Sequence, residues 1–244
     1  MASHDVFHRP EYAQDMARQL LQPSSLQLQV RSGVFLSGIR RIGKTTFLRQ
    51  DLIPTLEAMG ALVIYVDLWA DRSKSTASLV HEAVQDTLTQ LTSSGSGLLD
   101  RFKGLNLGAA EFTFGFQLDS VGQKGGATLA QAFTELVDRV QASVVLIVDE
   151  VQQALGSEEG CHLMFALKAA RDAVNTRPQT PGHLLIVGTG SHKSLVTDMA
   201  TRRSQPFSGA VSAPYEPLGR DFVQWKWQQL QALQLLGGLG PPGR

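Results

Sequence analysis

The chain of 244 residues holds a single cysteine, Cys161. No intrachain disulfide can form, which fits a reducing, cytoplasmic compartment. Neither sign of charge is in excess, since 22 Lys and Arg balance 22 Asp and Glu. A globally basic surface for nucleic acid is thereby excluded, though a local patch is not. Long apolar runs are also missing. The longest, such as Val144–Val148 and Leu184–Val187, fall far short of a membrane span. Met1 to Pro10 is polar and has no signal-peptide core. The six histidines and Cys161 show no zinc spacing. Gly188-Thr189-Gly190-Ser191 completes neither G-x-S-x-G nor G-x-G-x-x-G, so a nucleophile elbow and a dinucleotide fingerprint are unsupported. No N/T-K-x-D guanine motif appears.

What is present begins at Gly38-Ile39-Arg40-Arg41-Ile42-Gly43-Lys44-Thr45, which fits G-x-x-x-x-G-K-[ST]. Val34-Phe35-Leu36-Ser37 before it reads as a buried strand, and Thr46 onward reads as a helix. Strand, glycine loop and helix are the context that a phosphate-binding loop requires. Glycine at 38 and 43 permits close backbone approach, so the loop N–H groups can form an anion nest at a helix N-terminus. Lys44 would reach the β- and γ-phosphates, and Thr45 would offer its hydroxyl to Mg²⁺. Thr46 adjoins the loop one step out of register, where packing or capping is the plainer role. Arg40 and Arg41 face solvent, a partner or the nucleotide.

A second motif supplies acids. Val144-Val145-Leu146-Ile147-Val148-Asp149-Glu150 is an apolar strand ending in two carboxylates, as a Walker B segment does. Asp149 would bind Mg²⁺ or its water shell, and Glu150 would polarise the attacking water. Alone, such acids also serve as helix caps. A further strand, His183 to Val187, leads into Thr189 and Ser191. These two either sense a γ-phosphate or only turn the chain into the next helix. Asp67 ends another strand, where it orients Glu150 or caps. Arg202 and Arg203 are either an arginine finger for a neighbouring subunit or exposed basic residues. Trp225 and Trp227 flank Lys226, and packing plus one exposed ring suits them better than base stacking.

The alternation of strand and helix predicts a three-layer αβα fold around a mainly parallel five-stranded sheet. The expected strands start near residues 34, 61, 143, 183 and 209. Helices are expected at Tyr12–Leu21, from the loop to about Met59 with Gly60 closing it, at Ser75–Leu91, Ala127–Gln141, Gly160–Asn175 and Lys193–Ala200, and from Arg220 to Leu235. The strand Ala61–Asp67 is apolar enough for burial on both faces. Residues 1–30 read as a helical lead-in, 31–220 as the core, and 221–244 as a helix with a disordered tail. Thr92 to Gly126 reads as an insertion, rich in Gly and Ser, in which Phe112, Phe114, Phe116 and Leu118 alternate with polar or small residues. It is either an edge strand over the core or a partner-binding flap.

Together these residues resemble AAA+ ATPases of the additional-strand, catalytic-glutamate group, and among them the archaeal-ATPase and STAND-like branch. Members of that branch often carry G-x-R-R-x-G-K-T, here Gly38 to Thr45. Phe7-His8-Arg9-Pro10-Glu11 is similar to the group's F-x-x-R-x-x-E region, with altered spacing. The resemblance implies ATP and Mg²⁺ as ligands. It implies phosphate and metal roles for Lys44, Thr45 and Asp149, water activation by Glu150, and a sensor role for Thr189. ATP over GTP rests on this likeness alone. Such ATPases continue into a helical lid, and the chain stops soon after Leu235, so an incomplete or absent lid is expected. Three functions stay open: an ATPase coupled to a protein partner or self-assembly, a nucleotide-binding interaction module with little turnover, and a nucleic-acid-associated ATPase such as a transposition or replication helper.

Overall fold

A computed structural model describes residues 6–93 and 127–232. The expected insertion at 92–126, apart from its first two residues, lies outside them, as does the glycine-rich tail. Helix α1 (Pro10–Leu21) leads through a short 3-10 turn (Leu28–Ser32) into β1 (Val34–Ser37). Helix α2 follows the glycine loop: it is α-helical over Lys44–Phe47, π-helical over Leu48–Leu52, and α-helical again over Ile53–Ala58. Then come β2 (Leu62–Asp67), α3 (Thr76–Thr92), α4 (Leu129–Val140), β3 (Val144–Asp149) and α5 (Glu158–Asn175). The described chain closes with β4 (Leu184–Gly190), α6 (Lys193–Thr201), β5 (Val211–Pro214) and α7 (Arg220–Ala232).

The helix starts follow side-chain chemistry. Ser75 accepts from the Ser78 N–H, Ser157 from the Gly160 N–H, and Thr128 forms a reciprocal capping box with Gln131. Gly60, at φ +87°, lets the chain turn out of α2. The widening inside α2 has a local cause. Pro54 lacks an N–H and its ring crowds the carbonyl one turn back, and the Ile53 N–H bonds Leu48 O across five residues instead.

All strand pairs are parallel, in the order β2-β3-β4-β1-β5. Helices cover both faces, so β3 is buried at all six positions. Val144, Leu146 and Val148 pack with Val84, Phe133 and Leu167 on one side; Val145 and Ile147 pack with Leu20, Leu48 and Leu52 on the other. Each fully buried Leu or Phe contributes roughly 1.5–3 kcal/mol. The expectation of two buried faces fails for β2. That strand lies at the sheet edge, and Val63, Tyr65 and Asp67 are only half-buried. The fourth strand runs three residues further than expected, so Thr189 is a strand residue opposite Leu36 rather than part of a turn.

Parallel pairing brings every carboxyl end to one edge. Asp67 pairs with Asp149, and Ser37, just before the loop, pairs with Gly190. Strand β4 sits between β1 and β3, which places the glycine loop and the acidic strand end one strand apart. Ligands of open parallel sheets bind in the crevice at this edge.

Candidate functional site

The loop's shape follows from two residues. Gly43 has φ +94° and caps the first turn of α2. A Cβ on Gly38 would crowd the Tyr215 Cβ at 3.3 Å. Arg41 is left-handed at φ +64° without being glycine, a strained backbone of the kind that clusters in binding loops. Its side chain is exposed, as is Ile39. Arg40 leaves the loop and lies over the Trp69 ring at 4.7 Å. Ile42 packs against the core beneath.

Lys44 is buried to 5% exposure, and its Nζ donates to Gly38 O at 2.7 Å and Ile39 O at 3.1 Å. Burial lowers its pKa, against the pull of Glu150 and Asp149.

Asp149 is the hub. It is 1% exposed and accepts four hydrogen bonds. Thr45 Oγ1 donates to Oδ2 at 2.6 Å, and the Tyr65 hydroxyl donates to the same oxygen at 3.1 Å. The Thr189 hydroxyl and the Glu150 N–H donate to Oδ1. Loop, second strand, third strand and fourth strand thus converge on one carboxylate. Tyr65 keeps its proton, because burial and the nearby Asp149 charge both push its pKa up. Arg49 lies over the Tyr65 ring at 4.7 Å.

Glu150 leaves the strand in a left-handed conformation, φ +56°. Its Oε2 accepts from Gln152 Nε2 and from Ser191 Oγ, the latter at 3.3 Å. Asp67 does not reach it. Asp67 Oδ1 instead accepts the Trp69 N–H at 2.8 Å, which is the capping alternative. Burial raises the Asp67 pKa, and that backbone N–H opposes the rise. Arg202 pairs with Asp198 at 3.1 Å on the exposed end of α6, and Arg203 is exposed beside it.

Thr46 lines a cavity of about 170 Å³ together with Phe7, Arg9, Gly43, Tyr215 and Phe222. The N-terminal segment is fastened there. The Arg9 N–H donates to Asp51 Oδ2 at 3.0 Å, and His8 Nδ1 lies 2.7 Å from Oδ1. The Arg9 guanidinium sits between the rings of Tyr12 and Tyr215 at 4.7 and 5.0 Å. Trp225 packs edge-on to Phe7 and stacks with Phe222. Sequence reasoning missed Tyr65, Gln152, Asp51, Tyr215 and Phe222. None of them carried a distinguishing signal: Gln152 stands beside Gln153 between Val151 and Ala154, and the sequence does not say which of the two turns inward.

The donors suit a hard cation. Thr45 and Asp149 offer oxygen only, and Mg²⁺ takes one or two such protein ligands with phosphates and water. Among the described residues no cluster of three or more His, Cys, Asp or Glu forms, and no helix is long and apolar enough to cross a membrane.

Residues 24–211 match the family described as an ATPase domain predominantly from Archaea. No curated protein sequence matches the chain. Among solved structures, the ORC2 protein of Aeropyrum pernix in its ADPNP–ADP complexes is similar, with a TM-score of 0.57 and 16% identity over 96% of this chain and 54% of that one. Cdc6p of Pyrobaculum aerophilum gives 0.51 and 13% identity, over 96% of this chain and 52% of that one. The chain therefore spans about half the length of these structures, and at such identity the likeness shows the fold, a P-loop NTPase αβα sandwich.

Proposed function

Because the chain belongs to the archaeal-type ATPase domain family, we propose that it binds ATP at Gly38–Thr45 and hydrolyses it with Mg²⁺. The observation that carries this reading is the 2.6 Å bond from the loop hydroxyl of Thr45 to Asp149, 104 positions later in the chain. It joins a phosphate-binding element to a metal-binding acid.

In this reading the N–H groups of Gly43, Lys44 and Thr45 cradle the phosphates at the N-terminus of α2. Lys44 exchanges its two loop carbonyls for phosphate oxygens. Thr45 and Asp149 hold Mg²⁺, which when bound neutralises charge developing on the phosphates. Glu150 accepts a proton from the attacking water. Thr189, whose hydroxyl is committed to Asp149, acts through that carboxylate. The apolar cavity beside Gly43 and Thr46 suits a flat base, with Phe7, Tyr215 and Phe222 as its walls. Family likeness extends the proposal to coupling between nucleotide state and a protein partner or further copies of the chain. The lone cysteine supports a cytoplasmic setting.

The test is phosphate release from ATP and GTP, with Mg²⁺ or with chelator. Lys44→Ala should weaken nucleotide binding at least tenfold, about 1.4 kcal/mol. Glu150→Gln should bind normally and lose about 10²–10⁴ in kcat. Normal turnover by Glu150→Gln would remove Glu150 as the base. Binding without any phosphate release from the wild type would leave a nucleotide-binding interaction module. Turnover raised by added DNA in a salt-dependent way would favour the nucleic-acid-associated reading.

A further inference from the structure

We propose that Gln152 is a positioning residue that holds the Glu150 carboxylate by one oxygen and leaves the other for the attacking water; this rests on the hydrolytic reading above.

Glu150 is left-handed, so its side chain leaves the line of β3, and the chain then enters a 3-10 turn, Val151–Gly156. That turn carries Gln152 back beneath Glu150. Among the described residues, both side-chain donors that reach Glu150, Gln152 Nε2 and Ser191 Oγ, arrive at Oε2. Gln152 Nε2 also lies 3.1 Å from Ser191 Oγ, so the three groups close a triangle. Oε1 takes neither donor and keeps its lone pairs for a proton.

The seat of Gln152 is built for a carboxamide. Gln152 is 6% exposed between the buried Val151 and Ala154. A Cβ on Gly190 would overlap Gln152 Oε1 and Val196 Cγ2, so glycine in β4 is what admits the side chain. Gln152 Oε1 is buried and has no hydrogen-bond partner among the described residues. Burying an unmatched acceptor is unfavourable. Packing alone would be better served by leucine, which has a similar volume and no polar atom. What glutamine adds is the N–H donor on Glu150. Asp67, for which orienting Glu150 and capping were the two readings, accepts the Trp69 N–H as a cap does.

Gln152→Leu separates positioning from packing, because it removes the donor and the unmatched acceptor together. The expected result is a kcat lowered about ten- to a hundredfold, with KM for ATP within about twofold of wild type and an unchanged or higher melting temperature. Gln152→Glu places a second carboxylate beside Glu150. It replaces the donor that holds Oε2 with an acceptor, so kcat should fall at least as far as in Gln152→Leu. Ser191→Ala should give a smaller loss in kcat than Gln152→Leu. Wild-type kcat in Gln152→Leu, with the wild type itself active, overturns this inference and leaves the hydrolytic reading standing. A loss of kcat that tracks a lowered melting temperature and weaker nucleotide binding overturns it as well, in favour of a structural role. Absence of phosphate release from the wild type overturns both.

Discussion

Burial lowers the Lys44 pKa, while Glu150 and Asp149 pull it back toward the ordinary range. The folded protein therefore holds this lysine's charge less firmly than the unfolded chain does. Below the folded pKa the charged form detracts from stability, and that penalty relaxes as pH rises through it. For binding the sign is opposite, since phosphate needs the ammonium. Nucleotide affinity should fall on the alkaline side before the ordinary lysine value of about 10.4 is reached. Dissociation constants for a non-hydrolysable ATP analogue between pH 7.5 and 9.5 test this. Lys44→Arg, always charged, should give a flatter profile over the same range. Gly38, Gly43, Lys44, Thr45, Asp149 and Glu150 were legible in the sequence as a candidate site, because a loop motif and an acidic strand end are local patterns. Tyr65 and Gln152 were not. Their partners are set by sheet register and by a left-handed turn at Glu150, and neither has a local signature.

At the scale of elements, β1 and β4 meet through one close fit. Gly188 lies directly across from Phe35, and a Cβ there would run into the Phe35 ring. Phe35 is fully buried and packs on Phe207 at 5.1 Å. Gly188→Ala should lower unfolding free energy by about 1–3 kcal/mol, the usual result of overpacking. Phe35→Leu should recover part of that loss in the double variant, because it removes the ring that clashes. Additive losses in denaturant titrations would show that the two residues do not share the strain. Helix and strand positions were read well from periodicity, as for α3, α4 and α5. The two misses have positional causes. Strand β2 is apolar like an inner strand yet lies at the edge, and β4 continues through Gly188 and Gly190, residues that ordinarily signal a turn.

For the whole molecule, two half-buried imidazoles contribute to an acid limit. His81 on α3 and His183 before β4 both have pKa values lowered by burial, with Arg31 adding repulsion at His183 and Glu159 partly offsetting the shift at His81. Each takes up a proton less readily in the folded state than in the unfolded chain. The stability this represents is present above the unfolded value of about 6.5 and is lost as pH falls from there toward the folded pKa values. The melting temperature should therefore drop between pH 7.5 and 5.5, and the double variant His81→Gln/His183→Gln should flatten that drop. An unchanged slope would assign the acid limit to other groups.

The all-parallel sheet also governs the order in which this molecule comes into being. Among the described strands no ladder can close through a hairpin. Val34 must wait for Val187 and Val211, and Thr45 must wait for Asp149, 104 positions later. Pairings this distant form late and slowly. A chain emerging from its N-terminus presents the glycine loop long before it has the carboxylate that completes it. Full nucleotide affinity is thus a late acquisition, and a ligand that needs both halves stabilises only the finished sheet. Tight nucleotide capture would then mark a chain that has completed assembly.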